Sequence, residues 1–231
     1  MRHLRHTVLT ALAIALCAAP ATAAHQHNDH GRAVISPARG GGLTGGELQA
    51  EAWARSLSGS NATFQGTCTT LAPDVLQGHG GDDGIARCTA TPRSRLYVGF
   101  GSFCDDLEDP FPVTEREQLA CARAVSQESL KELNVTVDNG DPINIVRPRF
   151  ELISPQRTIA LPADNDFHVP AGTPLTFTAH GWGVVVHSLR PGRHTVTLEV
   201  VHPDNSRELF ITIILKVVRG GHSDDRDHGD D

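Results

Sequence analysis

The chain has 231 residues, with 20 Lys and Arg against 27 Asp and Glu. Loss of an amino-terminal export segment carrying Arg2 and Arg5 leaves 18 basic residues and a charge of about −9 with His neutral. That balance argues against a phosphate-backbone partner, which needs clustered Lys and Arg, so no nucleic-acid role is expected.

Residues 1–24, MRHLRHTVLTALAIALCAAPATAA, have the three parts of a secretory signal. Arg2 and Arg5 make the charged start, residues 7–19 the apolar run, and Ala21-Thr22-Ala23 an A-x-A cleavage site. A bilayer span needs about 20 apolar residues, more than this run supplies. The most apolar later stretch, LFITIILKVV, is broken by Lys216. Cys17 lacks the residues a lipoprotein start requires after it. The expectation is an exported protein, extracellular or periplasmic, without a transmembrane segment. An unidentified extracellular ligand or envelope partner goes with that location.

Residues 25–43, HQHNDHGRAVISPARGGGL, carry no apolar period and are expected to form a flexible leader. Thr44-Gly-Gly-Glu47 then has capping-box spacing and predicts a short helix to about residue 57. Ala50, Trp53, Ala54 and Leu57 share one face of it, most simply a core face, with Trp53 as an aromatic binding platform the alternative. Residues 58–92 are short of apolar side chains and include GHGGDDG, so they are expected to be loop. A bridge between the ends of such a loop contributes roughly 3 kcal/mol for about 20 residues enclosed. SRLYVGFGSF reads as a buried strand ending near Cys104.

Thr114-Glu115-Arg116-Glu117 is a second capping box, placed after Pro110 and Pro112, and predicts a helix over residues 115–131. The apolar period then switches to two. Leu133, Val135 and Val137 lead to the turn signal Asn139-Gly140. Further strands are expected at 149–153, 157–160, 174–179, 183–189, 193–202 and 207–218. The acidic, His-bearing residues 219–231 have nothing to bury and are expected to be a disordered tail. The fold class is therefore mainly β. We expect one antiparallel β-sandwich domain over residues 44–218, with two helices.

Four cysteines follow the signal: Cys68, Cys88, Cys104 and Cys121. An even count in an oxidising compartment favours two disulfides, with three connectivities open. No CxxC spacing occurs, which argues against a zinc knuckle or a thioredoxin-type redox pair.

The pieces AEAWARSL, CTATPRSRLYVGF, FCDDLEDP, TEREQLACARAV, LNVTVDNG and HGWGVVVHSLRPGRHTVTLEV together resemble a widespread family of exported bacterial and archaeal proteins with no established activity. The resemblance covers roughly residues 44–218. Only Trp53 stands where that family's first helix is richer in Trp, and Asn139 intervenes before the hairpin glycine. The resemblance implies a β-rich exported domain with pairs Cys68–Cys88 and Cys104–Cys121. It implies no catalytic residues.

Candidate chemistry is sparse. Asp105, Asp106, Glu108 and Asp109 offer oxygen ligands for calcium, a hard cation. They do not match an EF-hand loop, and a solvated acidic run preceding a helix explains them equally. Asp82 and Asp83 form a weaker calcium candidate. His25, His27 and His30 stand near the expected mature start, where imidazole and amine nitrogens suit copper or nickel. Cleavage after Ala24 puts His27 third, whereas A-x-A spacing favours cleavage one residue earlier. HGRAVISPAR resembles the mature start of secreted copper monooxygenases, but His30 is not the first mature residue. His222 and His228 lie among aspartates in the tail, which makes metal sequestration by both ends an alternative role.

His180, His187, His194 and His202 are expected at strand edges or turns, with His187 and His194 placed to face each other across Pro191-Gly192. Trp182, between two glycines, is either a stacking platform for a flat ligand or a core residue. No Gly-x-Ser-x-Gly, phosphate loop or dinucleotide fingerprint occurs. The composite expectation is a non-enzymatic binding or interaction module, with a secreted hydrolase or copper oxygenase as the alternative.

Overall fold

The computed structural model describes residues 33–59, 65–107 and 112–219. In chain order the elements are β1 (Val34–Pro37), α1 (Gly45–Ser58), β2 (Cys68–Ala72), β3 (Val75–Gly78), β4 (Ile85–Ala90) and β5 (Arg95–Asp105). There follow α2 (Glu115–Ser129), β6 (Glu132–Val137), β7 (Ile143–Asn144), a 3-10 turn (Pro148–Phe150), β8 (Glu151–Ile153) and β9 (Arg157–Ala160). Three long strands finish the fold: β10 (Pro174–His187), β11 (Gly192–Val201) and β12 (Arg207–Val217).

The strands form two sheets. The first runs β1-β10-β5-β3-β2, with β8 and β9 also paired to β10. The second runs β4-β12-β11-β6-β7. Between them lies a core of alternate residues. Leu96, Val98, Trp182, Val184 and Val186 from the first sheet pack with Leu133, Val135, Val196, Leu198, Ile213 and Leu215 from the second. Period-two alternation puts each such set on one face of its strand.

Both helices begin where the capping boxes place them. Thr44 and Thr114 accept from the backbone N–H groups of Glu47 and Glu117, whose carboxylates accept in return from the threonine N–H groups. α1 lies on the outer face of the first sheet, with Leu48 and Ala52 against Tyr97, Leu152 and Val185. α2 covers the other face, beyond the reach of the second sheet. There Gln118 Oε1 accepts from Thr178 Oγ1 at 3.1 Å, and Ser102 Oγ donates to the Ala122 carbonyl at 2.7 Å.

Cys68–Cys88 joins β2 of the first sheet to β4 of the second, with 5.3 Å between Cα atoms. Cys104–Cys121 ties β5 to α2 at a Cα separation of 6.0 Å.

Four expectations need correction. The sheets are mixed rather than purely antiparallel: β3 runs parallel to β5, and β4 parallel to β12. Both pairings come from residues 58–92, expected to be loop, which supply β2, β3 and β4. Their glycines and polar residues hid short strands that are edge or next-to-edge elements. Part of the expected leader is ordered, since Val34–Pro37 pairs with residues 184–187 of β10. Ile35 packs on the inter-sheet core and Ala38 is buried, so a two-residue apolar signal suffices once a strand edge is available.

The strands expected at 174–179 and 183–189 are one continuous strand. Gly181 stands directly opposite Gly101 of β5, and a Cβ on Gly181 would lie 2.7 Å from the Gly101 Cα. These glycines mark a close backbone approach, which is the other meaning of glycine inside a strand.

Candidate functional site

Gln49, Ala52, Trp53 and Ser56 fall at i, i+3, i+4 and i+7 on α1, making one helical stripe. The stripe faces Tyr97, Gly99 and Gly101, alternate residues on the outer face of β5. The space between them is a groove of about 430 Å³, completed by Gln77, Phe100 and Phe210.

Each wall has a local cause. Phe210 is the extra residue of a β-bulge: Leu198 pairs with Ile211 and Glu199 with Leu209. A bulge re-aims its side chain, and Phe210 meets Phe100 edge-on with centroids 5.0 Å apart. Trp53 packs on Phe103 at 4.7 Å, and Phe103 in turn contacts Phe177 and Phe167. The floor is open because Gly99 and Gly101 carry no side chain. A Cβ on Gly101 would come within 3.0 Å of Gln49 Nε2.

The polar groups are few and neutral. Tyr97 Oη donates to Gln49 Oε1 at 2.5 Å, with both residues buried. Burial pushes the Tyr97 phenol far up from its ordinary value, so it remains a protonated donor. Gln77 Oε1 is buried without a hydrogen-bond partner. Buried acceptors are almost always satisfied, so this oxygen is the exception requiring an explanation.

Two depressions adjoin the groove. One, of about 540 Å³, shares Ser56, Gln77 and Phe210 with it and is floored by Gly78, Gly80, Gly81 and Gly84. His79 lines it, with Nε2 2.8 Å from Thr69 Oγ1. Burial pushes the imidazole below its ordinary pKa, which favours the neutral ring. The other depression, about 520 Å³, shares Trp53 and Ser56 and extends past Phe103, Leu107 and Phe167.

Apart from Trp53, the residues singled out from sequence stand elsewhere. Trp182 is only 7% exposed and lies in the inter-sheet core, so it is no stacking platform; its even position on β10 turns it toward the second sheet. Asp105 Oδ1 accepts from Leu107 N, and Asp106 Oδ1 accepts from Thr176 N at 2.8 Å. These carboxylates fix the chain leaving β5. Asp83 is similarly engaged by Ile85 N and Arg87. Glu108, Asp109, His25, His27, His30, His222 and His228 lie outside the described residues. Among the described residues no three His, Cys, Asp or Glu side chains are grouped to hold a metal ion.

The four strand histidines separate. His187 bonds Ser188 and Ser36 rather than facing His194, which contacts Asp138 at 2.6 Å and the Arg190 carbonyl at 2.8 Å. His202 bonds the Ser129 carbonyl. His180, expected at a strand edge or turn, is fully buried: Nδ1 is 2.5 Å from Ser126 Oγ and Nε2 2.9 Å from Glu151 Oε1. Hydrogen bonding to His180 is the largest cause holding the Glu151 carboxyl below its ordinary range, and Arg123 adds its charge. The trio has the composition of a nucleophilic triad, but Ser126 has no exposed surface, so a substrate has no access to its oxygen. It is a polar joint between α2, β8 and β10.

The groove was not anticipated from sequence. Its helical stripe begins with Gln49 and ends with Ser56, so an apolar period search selects the neighbouring stripe instead. No protein-family model matches the chain, and no curated protein or solved structure shows significant similarity to it.

Proposed function

We propose that this protein is an exported binding module whose ligand lies in the groove between α1 and β5. The observation carrying this reading is a groove of about 430 Å³ walled by Trp53, Phe100 and Phe210 over the glycines of β5. Concave, mainly apolar sites with a few placed polar groups are the usual form of ligand sites. The signal-like residues 1–24, the resemblance to an exported family and the two disulfides support an extracellular or envelope location. No helix of the described residues is long and apolar enough to cross a membrane.

Tryptophan fluorescence tests the site, because Trp53 lines the groove and Trp182 is buried between the sheets. Small neutral molecules and glycans are titrated into the mature, disulfide-bonded chain. A ligand in the groove changes Trp53 emission, and Trp53→Phe removes the change. A saturable response that survives Trp53→Phe rejects this location. Mass spectrometry of material recovered outside the cytoplasm, beginning at residue 24 or 25, tests export.

A further inference from the structure

Resting on that reading, we infer that the groove takes a segment of a neutral oligosaccharide. The first ground is charge. Among the described residues, apart from Tyr97, whose hydroxyl is committed to Gln49, no side chain lining the central groove ionises. A charged ligand there would be desolvated without a counter-charge, at high cost.

The second ground is the pairing of flat rings with amide groups. Trp53, Phe100 and Phe210 bring apolar rings to the groove, and exposed Ser56 and half-buried Gln77 place a hydroxyl and a side-chain amide beside them. A pyranose ring has this dual character, with C–H bonds on one face and hydroxyls around its rim. The third ground is length. The groove adjoins one depression that shares Phe210 with it and another that shares Trp53, with His79 and Asp166 their respective titratable lining residues. Aromatic side chains repeated along a channel suit a ligand built from repeating units.

The test uses the mature chain with both disulfides intact. The probes are neutral oligomers of β-1,4-glucose, β-1,4-N-acetylglucosamine and α-1,4-glucose, with oligogalacturonate as the anionic control and indole as a flat non-sugar. Calorimetry and Trp53 fluorescence are the readouts. At least one neutral oligomer is expected to bind more tightly than its monomer, with oligogalacturonate not binding. Gln77→Leu is expected to weaken binding about tenfold through loss of the side-chain amide from the groove lining. Trp53→Ala is expected to weaken it at least as much, with Trp53→Phe restoring part of the loss. Circular dichroism melts of all variants separate lost binding from lost folding. Indole bound in the groove with no oligomer binding overturns the saccharide inference and leaves the binding-module reading standing. No probe bound, or oligomer binding indifferent to both Gln77→Leu and Trp53→Ala, overturns the groove assignment as well.

Discussion

The hydroxyl of Tyr97 on β5 and the side-chain carbonyl of Gln49 on α1 share a 2.5 Å hydrogen bond in a buried contact, 48 residues apart in sequence. The bond fixes the helix over the sheet and sets one end of the groove. Tyr97→Phe leaves Gln49 Oε1 buried and unpaired, with an expected loss of about 1–3 kcal/mol. Adding Gln49→Leu removes both partners and is expected to recover part of that loss. A double-mutant cycle in urea measures the coupling.

Gly181 has no room for a side chain. A Cβ there meets the Phe100 carbonyl as well as the Gly101 Cα, both backbone atoms that cannot rotate away. Gly181→Ala is therefore expected to cost about 3 kcal/mol or more, by forcing β5 and β10 apart. Gly42→Ala has open space around it but a φ of +83°, so its cost is conformational and about 1 kcal/mol. Thermal melts of the two variants rank them.

The two disulfides act on different joints. Cys68–Cys88 closes 20 residues of separation between the sheets, and Cys104–Cys121 closes 17 between β5 and α2. Replacing either pair with Ser is expected to lower stability by about 3 kcal/mol. The local consequence differs. Hydrogen exchange should quicken at β2 and β4 in the first variant, and along α2 in the second.

Stability should vary with pH in two separate windows. At His194 desolvation opposes the proton, but the hydrogen bond to Asp138, the Arg190 carbonyl and the Asp138 charge outweigh it and raise the pKa above 6.5. A raised histidine stabilises fully below its unfolded pKa, and that contribution is lost as pH rises through the folded value. The Glu151 carboxyl is depressed below 4.5, chiefly by its hydrogen bond to His180. Its contribution is present above the unfolded pKa and is lost as pH falls through the folded one. In urea unfolding at successive pH values, His194→Gln should flatten the alkaline-side slope and Glu151→Gln the acid-side slope.

Ser126→Ala separates the buried polar joint from the groove. His180 Nδ1 loses its Ser126 partner, so the folded state is expected to weaken by about 1–3 kcal/mol. Groove titrations with this variant should match those of the parent chain at temperatures where it is folded. A selective loss of a chemical activity in stably folded Ser126→Ala protein would instead assign the joint a catalytic role.

Local signals carried much of the architecture. The two capping boxes placed both helix starts, sequence patterning placed β6, β8, β9, β11 and β12, and the cysteine count anticipated two disulfides. These features are encoded within a few residues of where they act. Strands β2 to β4 were missed because edge and near-edge strands tolerate polar and glycine-rich composition, so their pairing partners, not their own pattern, define them. Trp182 and Trp53 show the same division at the candidate site. Both are tryptophans on regular elements, and nothing adjacent in sequence says which is enclosed. The second sheet buries Trp182, whereas Trp53 borders a groove that exists only because β5 offers glycines beneath it and a bulge in β12 turns Phe210 toward it. Backbone propensity and periodicity are short-range and legible along the chain. A groove is a gap between elements distant in sequence, fixed by strand register and packing, and it becomes visible only when those elements meet.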